Sequence, residues 1–349
     1  MTAAGRHGAA AQALPDVGLD GARRWHGEGV RIADVARKLR ELRSGGDSDV
    51  HSTLTRVMNL VVWAPDAPSA TDVEALADAL STHHPSRAVI VRPAGGGDGI
   101  DARVEVMSRP DHPGGKGLQV EQIVLTLHGA VASHAASAVI PLLRSELPTF
   151  LWWPGAPDPA SLQFTDLASV ADRIVTETGR DMRGAEAVAR LVAVVASVDA
   201  PVTDLAWAAI SPWRQLIATS LRGDALLRLR AGAARATITG PAGEPPLEAS
   251  LLAGWLDHVL GPELVTSVAA GAGHGAVQGV RLDVDGACLL DLACGDSTAT
   301  VTLRTAAGGP RCLSLPHPDR GSLVAGELEL RGRDESFEEA VAAASRRRD

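Results

Sequence analysis

Residues 53–91 read "TLTRVMNLVVWAPDAPSATDVEALADALSTHHPSRAVIV", and the fold turns on them. Thr53–Pro65 is a Val- and Leu-rich run closed by a proline, which predicts a largely buried strand. Val73, Leu76 and Leu80 then recur at helical spacing ahead of Pro85, predicting a helix. Ser86–Val91 returns as a second apolar run. Strand, helix and strand of these lengths make a β-α-β unit.

Upstream, Ile32, Val35, Leu39 and Leu42 in "VRIADVARKLRELRSGG" predict a short amphipathic helix stopped by Gly45-Gly46. Residues 1–24 are Ala/Gly-rich without periodicity and are expected to form a mobile arm. Downstream, "DGIDARVEVMS" and "LQVEQIVLTLHG" alternate as strands around the short loop "RPDHPGGKG", so an antiparallel pair is expected and the sheet is mixed. "AVASHAASAVIPLLRSE" predicts a helix, "PTFLWW" and "RIVTET" strands, and "GAEAVARLVAVVASVD" a helix packed through Val188, Leu191, Val192 and Val195. Residues 50–200 therefore read as layered α/β. A further helix is expected to start at Ser211, with Ser211 as cap and Pro212 in the first turn.

Beyond Gly223 the texture changes. "LLRLRA" and "RATITG" read as paired strands, "PPLEASLLAGWLDHVLG" as a helix, and "VRLDVDGACLLDLACGDSTATVTLRT" as antiparallel strands with Asp-Gly and Gly-Asp turns. Helical pieces close the chain at Asp319–Leu330 and Ser336–Arg347, the second with a Ser336/Glu339 capping box. The expected organisation is an arm at 1–24, an α/β domain with a leading amphipathic helix at 25–223, and a smaller α+β domain at 224–349.

Composition narrows the function. With 349 residues, 45% apolar and 21% charged, the chain is a soluble globular type. No apolar run approaches the ~18 residues of a membrane span. A net charge of -9 argues against nucleic acid as partner. Cys288, Cys294 and Cys312 read as reduced thiols, so a cytoplasmic location is expected.

Catalytic motifs are weak. "GAGHGA" (Gly271–Ala276) satisfies G-x-G-x-x-A, but a strand-like segment follows where a dinucleotide site needs a helix. "GGGDG" and "GGKG" lack the phosphate-loop frame, and the three cysteines with His317 lack zinc spacing. No nucleophile, base and orienting group fall in one run. We therefore expect no catalytic residue, cofactor or metal.

Strand geometry divides "LPTFLWWPG": Phe150 and Trp152 share one face, Leu151 and Trp153 the other. Apolar residues on both faces predict an interior strand. Pro154-Gly155 ends it at once, placing Trp153 at the C-terminal lip, where α/β sheets carry binding crevices. Trp207, Trp213 and Arg214, around the Ser-Pro helix start, read either as an exposed aromatic/Arg group of the kind enriched at interfaces or as side chains cementing helix to sheet. Arg56 and Asn59, polar within an apolar strand, and Arg87 at a strand start are buried satisfied groups or site residues.

Particular words of this sequence carry a resemblance: "TRVMNLVVW", "HHPSRAVIV", "VEQIVLTLHG", "LPTFLWWPG", "ADRIVTET", "VTDLAWAAISPWR" and "DESFEEAV". In this order they resemble the glucose-6-phosphate dehydrogenase assembly protein family, OpcA, from about Trp25 to Val341. The resemblance implies a non-catalytic partner that binds glucose-6-phosphate dehydrogenase and favours its active oligomer or conformation. Trp153, Trp207, Trp213, Arg214, Arg87 and Arg56 are then the partner-binding candidates. The family commonly has tyrosine near its C-terminal helix where Phe337 stands here, so no hydroxyl-dependent contact carries over. The cysteines form no reactive pair, and a thiol-based control known in relatives does not carry over either. The alternative reading is a metabolite- or nucleotide-sensing protein, or an enzyme, using a crevice at the C-terminal edge of the sheet.

Overall fold

The computed structural model describes residues 16–17, 22–44, 58–65, 67–80, 86–110, 117–221, 223–261, 264–295, 300–305, 308–330 and 332–347. Contacts divide the chain into two compact units: Met1–Trp152 with Ser169–Ala171, and Trp153–Ala168 with Asp172–Asp349. The expected features at Arg56, Gly45-Gly46 and the loop 111–116 lie outside the described residues. Among the described residues no helix is long and apolar enough to cross a membrane.

The first unit is built on a mixed sheet. Its strands run in the spatial order β1 (Asp16–Val17), β2 (Arg23–Gly27), β5 (Gly99–Pro110), β6 (Gly117–His128), β4 (Ser86–Ala94), β3 (Met58–Trp63) and β7 (Thr149–Trp153). The β-α-β reading holds: β3 and β4 are parallel and joined through helix α2 (Ala67–Leu80). Strand β4 also pairs parallel with β6, and β3 with β7. The long hairpin of β5 and β6 is antiparallel, as the two alternating patterns predict. Every side chain of β3 and β7 is buried, which is why both strands are apolar apart from Asn59 and Thr149. Helix α1 (Ile32–Ser44) turns Val35, Leu39 and Leu42 into the core.

The helix expected over 130–146 is broken. It forms a 3-10 turn at Gly129–His134, α3 at Ala135–Val139, and a second 3-10 turn at Ile140–Leu142. Gly129 enters with φ 58 and Pro141 has no amide to extend the helix, so the α-helical run is confined between them.

In the second unit, β8 (Arg173–Thr176) and β9 (Val202–Asp204) pair parallel. Helix α4 (Leu162–Ala168) precedes them, and α5 (Thr178–Asp181) and α6 (Gly184–Ser197) connect them. Three helices follow: α7 (Leu205–Ala209), α8 (Ser211–Ser220) and α9 (Asp224–Ala231). A second mixed sheet has the order β11 (Val265–Ala270), β10 (Ala234–Gly240), β12 (Gly279–Val284), β13 (Ala287–Cys294), β14 (Thr300–Thr305) and β15 (Gly308–Ser314). Only β10 and β11 are parallel in it; the remaining pairs are antiparallel. Asp285 (φ 51) and Gly286 (φ 79) form the left-handed turn that the Asp-Gly pair demands between β12 and β13.

Helix α10 (Leu247–Leu260) packs against α12 (Glu335–Arg346), and α11 (Arg320–Glu329) precedes the latter. Gly254 is required there, because a Cβ at that position would run into the Ala340 carbonyl of α12.

Two sequence readings are corrected. "LLRLRA" is the body of α9 rather than a strand: Leu229 is buried while Leu227 is 66% exposed, although strand alternation would put both on one face. Ala, Leu and Arg are strong helix formers, and six residues are too few to separate the two periods. The caps also differ. Helix α8 begins at Ser211 itself after Ile210 and has no side-chain cap, so Ser211 does not serve, and Asp334 rather than Ser336 caps α12 by accepting from Phe337.

Candidate functional site

Parallel register assembles a polar row that no single segment announces. Glu121 of β6 pairs with Arg87 of β4, Arg87 with Asn59 of β3, and Asn59 with Thr149 of β7. All four side chains are buried within an otherwise apolar sheet. Buried charge persists only when paired and hydrogen-bonded, and this row is. Arg87 Nε lies 2.6 Å from Glu121 Oε2, and its Nη1 donates to the Leu142 carbonyl at 2.5 Å. The other Glu121 oxygen is 3.1 Å from Arg43 Nε on α1.

Asn59 clamps the segment leading into β7. Its Nδ2 donates to the carbonyls of Arg144 (2.9 Å) and Leu147 (3.2 Å), while its Oδ1 accepts from the Arg144 amide at 3.0 Å. That clamp fixes Arg144 beside the row. A cavity of about 250 Å³ opens there, lined by Arg40, Arg43, Arg87, Arg144, Leu142 and Glu146 among others. Burial pulls the Arg87 guanidinium below its ordinary pKa; Glu121 opposes this, and the neighbouring Arg144 and Arg43 charges reinforce it. The cavity lies at the N-terminal ends of β3 and β4, since Asn59 and Arg87 are each the second residue of their strand.

Of the two readings of the Trp207 group, the two tryptophans follow the buried one, and Arg214 is half-buried. Trp207 is 2% exposed and Trp213 3%. Trp207 Nε1 donates to Asp334 Oδ2 at 2.7 Å, and its ring is tilted against Phe337 at 5.8 Å. Arg214 stacks over the same ring, 3.6 Å from its centroid, and its Nη2 donates to Ser211 Oγ at 2.8 Å. Burial lowers the Arg214 pKa, with Asp334 and Glu327 opposing. Trp207, Arg214 and Asp334 thus come together; Trp213 turns into the core with Ile217 and Leu221.

Trp153 is 9% exposed and stands edge-on to Phe164 of α4 at 5.3 Å, so the lip of β7 is covered. Trp152 is wholly buried, as expected for core. Nearby, Asp204 accepts from Ala206 N, Thr178 N and Thr176 Oγ1 at 2.8–2.9 Å. Complete burial nonetheless pushes its carboxyl up to about 6. "GAGHGA" forms the loop between β11 and β12, bridged by Gln278, and a strand follows it.

Sequence reading missed Glu121 and Arg144. Glu121 had a signal, an acid in an apolar strand needing the base that Arg87 supplies. Arg144 had none, because only the Asn59 clamp places it.

Two family models match the chain. One, described as glucose-6-phosphate dehydrogenase subunit N-terminal domain (the OpcA assembly model), covers residues 77–194; the other, the corresponding C-terminal domain, covers 200–341. A Nostoc punctiforme protein whose name carries the words OxPP cycle protein OpcA is 27% identical over 183 residues, 52% of this chain. The match spans 39% of that relative's length. Among solved structures, a levoglucosan dehydrogenase in complex with NADH and L-sorbose aligns at TM-score 0.41 and 10% identity, over 83% of this chain and 91% of that one. A UDP-N-acetylglucosamine 3-dehydrogenase from Acidithiobacillus ferrooxidans aligns at 0.39 and 10%, over 82% and 95%. Likenesses this loose carry no statement about fold or chemistry here.

Proposed function

We propose, because this chain belongs to the glucose-6-phosphate dehydrogenase assembly protein (OpcA) family, that it binds that dehydrogenase and favours its active oligomer or conformation, leaving catalysis to the partner. The single observation behind this reading is the pair of consecutive family matches over residues 77–194 and 200–341. By linkage, such a protein must bind the active form of its partner more tightly than the inactive form. A tenfold shift needs only about 1.4 kcal/mol of differential affinity.

Among the described partner-binding candidates, Arg214 is the one with surface to offer, because it is half-buried above Trp207. In this reading Trp207, Trp213 and Trp153 hold their neighbourhood rigid from beneath. The test is to titrate the purified chain into the dehydrogenase of its own organism and follow NADPH production. A saturable rise in rate is expected, and a flat rate across the titration would sink the proposal.

A further inference from the structure

We propose that the arginine-lined cavity at the N-terminal ends of β3 and β4 binds a small phosphate monoester. This goes beyond the binding of a dehydrogenase and does not depend on it.

The charge count comes first. Arg40, Arg43, Arg87 and Arg144 line the cavity, against Glu146 in the lining and Glu121 behind it. Four cations against two anions leave an excess of two positive charges. Glu121 is committed to Arg43 and Arg87, which it bridges with its two oxygens. Glu146 is 61% exposed and its ion pair is with Arg144 Nη1, at 3.3 Å, so water screens it.

The second observation is an unsatisfied donor pair. Among the described residues, Arg144 Nε and Nη2 are both buried and have no hydrogen-bond partner. Buried guanidinium donors left unpaired are costly, and an ion is one of the few explanations for them. Nε and Nη2 form the side-on edge of the guanidinium, and a turn of this side chain into the cavity that it lines lets that edge grip two oxygens of one phosphate in parallel. Asn59 fixes the Arg144 backbone at the cavity, donating to the Arg144 and Leu147 carbonyls and accepting from the Arg144 amide.

Size and polarity select the ligand. Leu39, Pro141, Leu142 and Leu143 contribute apolar wall, which strengthens a charge-assisted bond. The volume of about 250 Å³ lies below the roughly 300–1,000 Å³ of drug-sized sites, so a phosphoryl group on a short carbon skeleton fits and a dinucleotide does not.

The experiment titrates the full chain, without dehydrogenase, by calorimetry and phosphorus NMR. Glucose 6-phosphate serves as the monoester probe, with glucose and sulfate at matched ionic strength as controls. One saturable site is expected, at least tenfold tighter for the monoester than for sulfate and silent to glucose. Arg144→Gln should weaken it at least tenfold, and Arg40→Gln, at the exposed rim, about threefold. Should Arg144→Gln fail to fold, Arg40→Gln carries the decision. No saturable binding, equal affinity for sulfate, or an affinity unmoved in the folded variants overturns the assignment.

Discussion

Replacing Trp213 by alanine decides whether this side chain is core or interface. Trp213 is 3% exposed on α8 and belongs to the cluster that includes Ile217, Leu221 and Leu247. A buried tryptophan removes roughly 150–250 Å² from water, and truncating one to alanine costs about 3–5 kcal/mol once the cavity left behind is counted. For a cooperative unit of this size each kcal/mol moves Tm by about 2–4 °C, so a fall of about 6–20 °C is expected. Calorimetry measures it, and a dehydrogenase-binding titration well below the lowered Tm runs in parallel. Folded Trp213→Ala should then bind with nearly unchanged affinity. A fall of less than about 2 °C together with lost binding would refute the burial argument and make Trp213 a contact residue.

Three further outcomes follow from the same geometry. Asp334→Ala removes the cap of α12 and the acceptor for Trp207 Nε1, so it should cost about 2–4 kcal/mol, with the first amides of α12 losing protection in hydrogen exchange. Asn59→Leu takes the acceptor from the Arg144 amide and the donor from the Leu147 carbonyl, and should lower stability by a similar ~2–4 kcal/mol in urea denaturation. For Asp204 the folded carboxyl, pushed up to about 6 from 3.8, keeps its proton over a window where the unfolded chain has lost it. Its contribution to stability therefore falls as pH rises through that window, by about 3 kcal/mol in all, and comparing urea midpoints of wild type and Asp204→Asn at pH 4 and 6.5 isolates it.

The parallel core was legible because a strand buried on both faces has to be a continuous apolar run: Met58–Trp63 and Thr149–Trp153 could hardly be anything else. The polar row was only half legible. Asn59 and Arg87 stood out as polar residues in apolar surroundings, but register is a relation between strands. Nothing local in the chain says that Glu121, Arg87, Asn59 and Thr149 are neighbours. Caps failed for a related reason. Ser336 and Asp334 are equally good acceptors in isolation, and the backbone path decides which one faces the free amides of α12. Exposure of the tryptophans stayed open in the sequence because their partners are distant: Trp207 finds its polar partner in Asp334, 127 residues away, so it needs no solvent for its N–H.

The central claim is that this chain acts on the oligomer or conformation of glucose-6-phosphate dehydrogenase. The most direct measurement is the mass distribution of the dehydrogenase from the same organism at nanomolar concentration, by mass photometry, with and without a stoichiometric amount of this chain. The account predicts a complex carrying the added 36.1 kDa subunit and a population shifted toward the active assembly. An unchanged distribution with no added mass, at concentrations where the chain is folded, would contradict it.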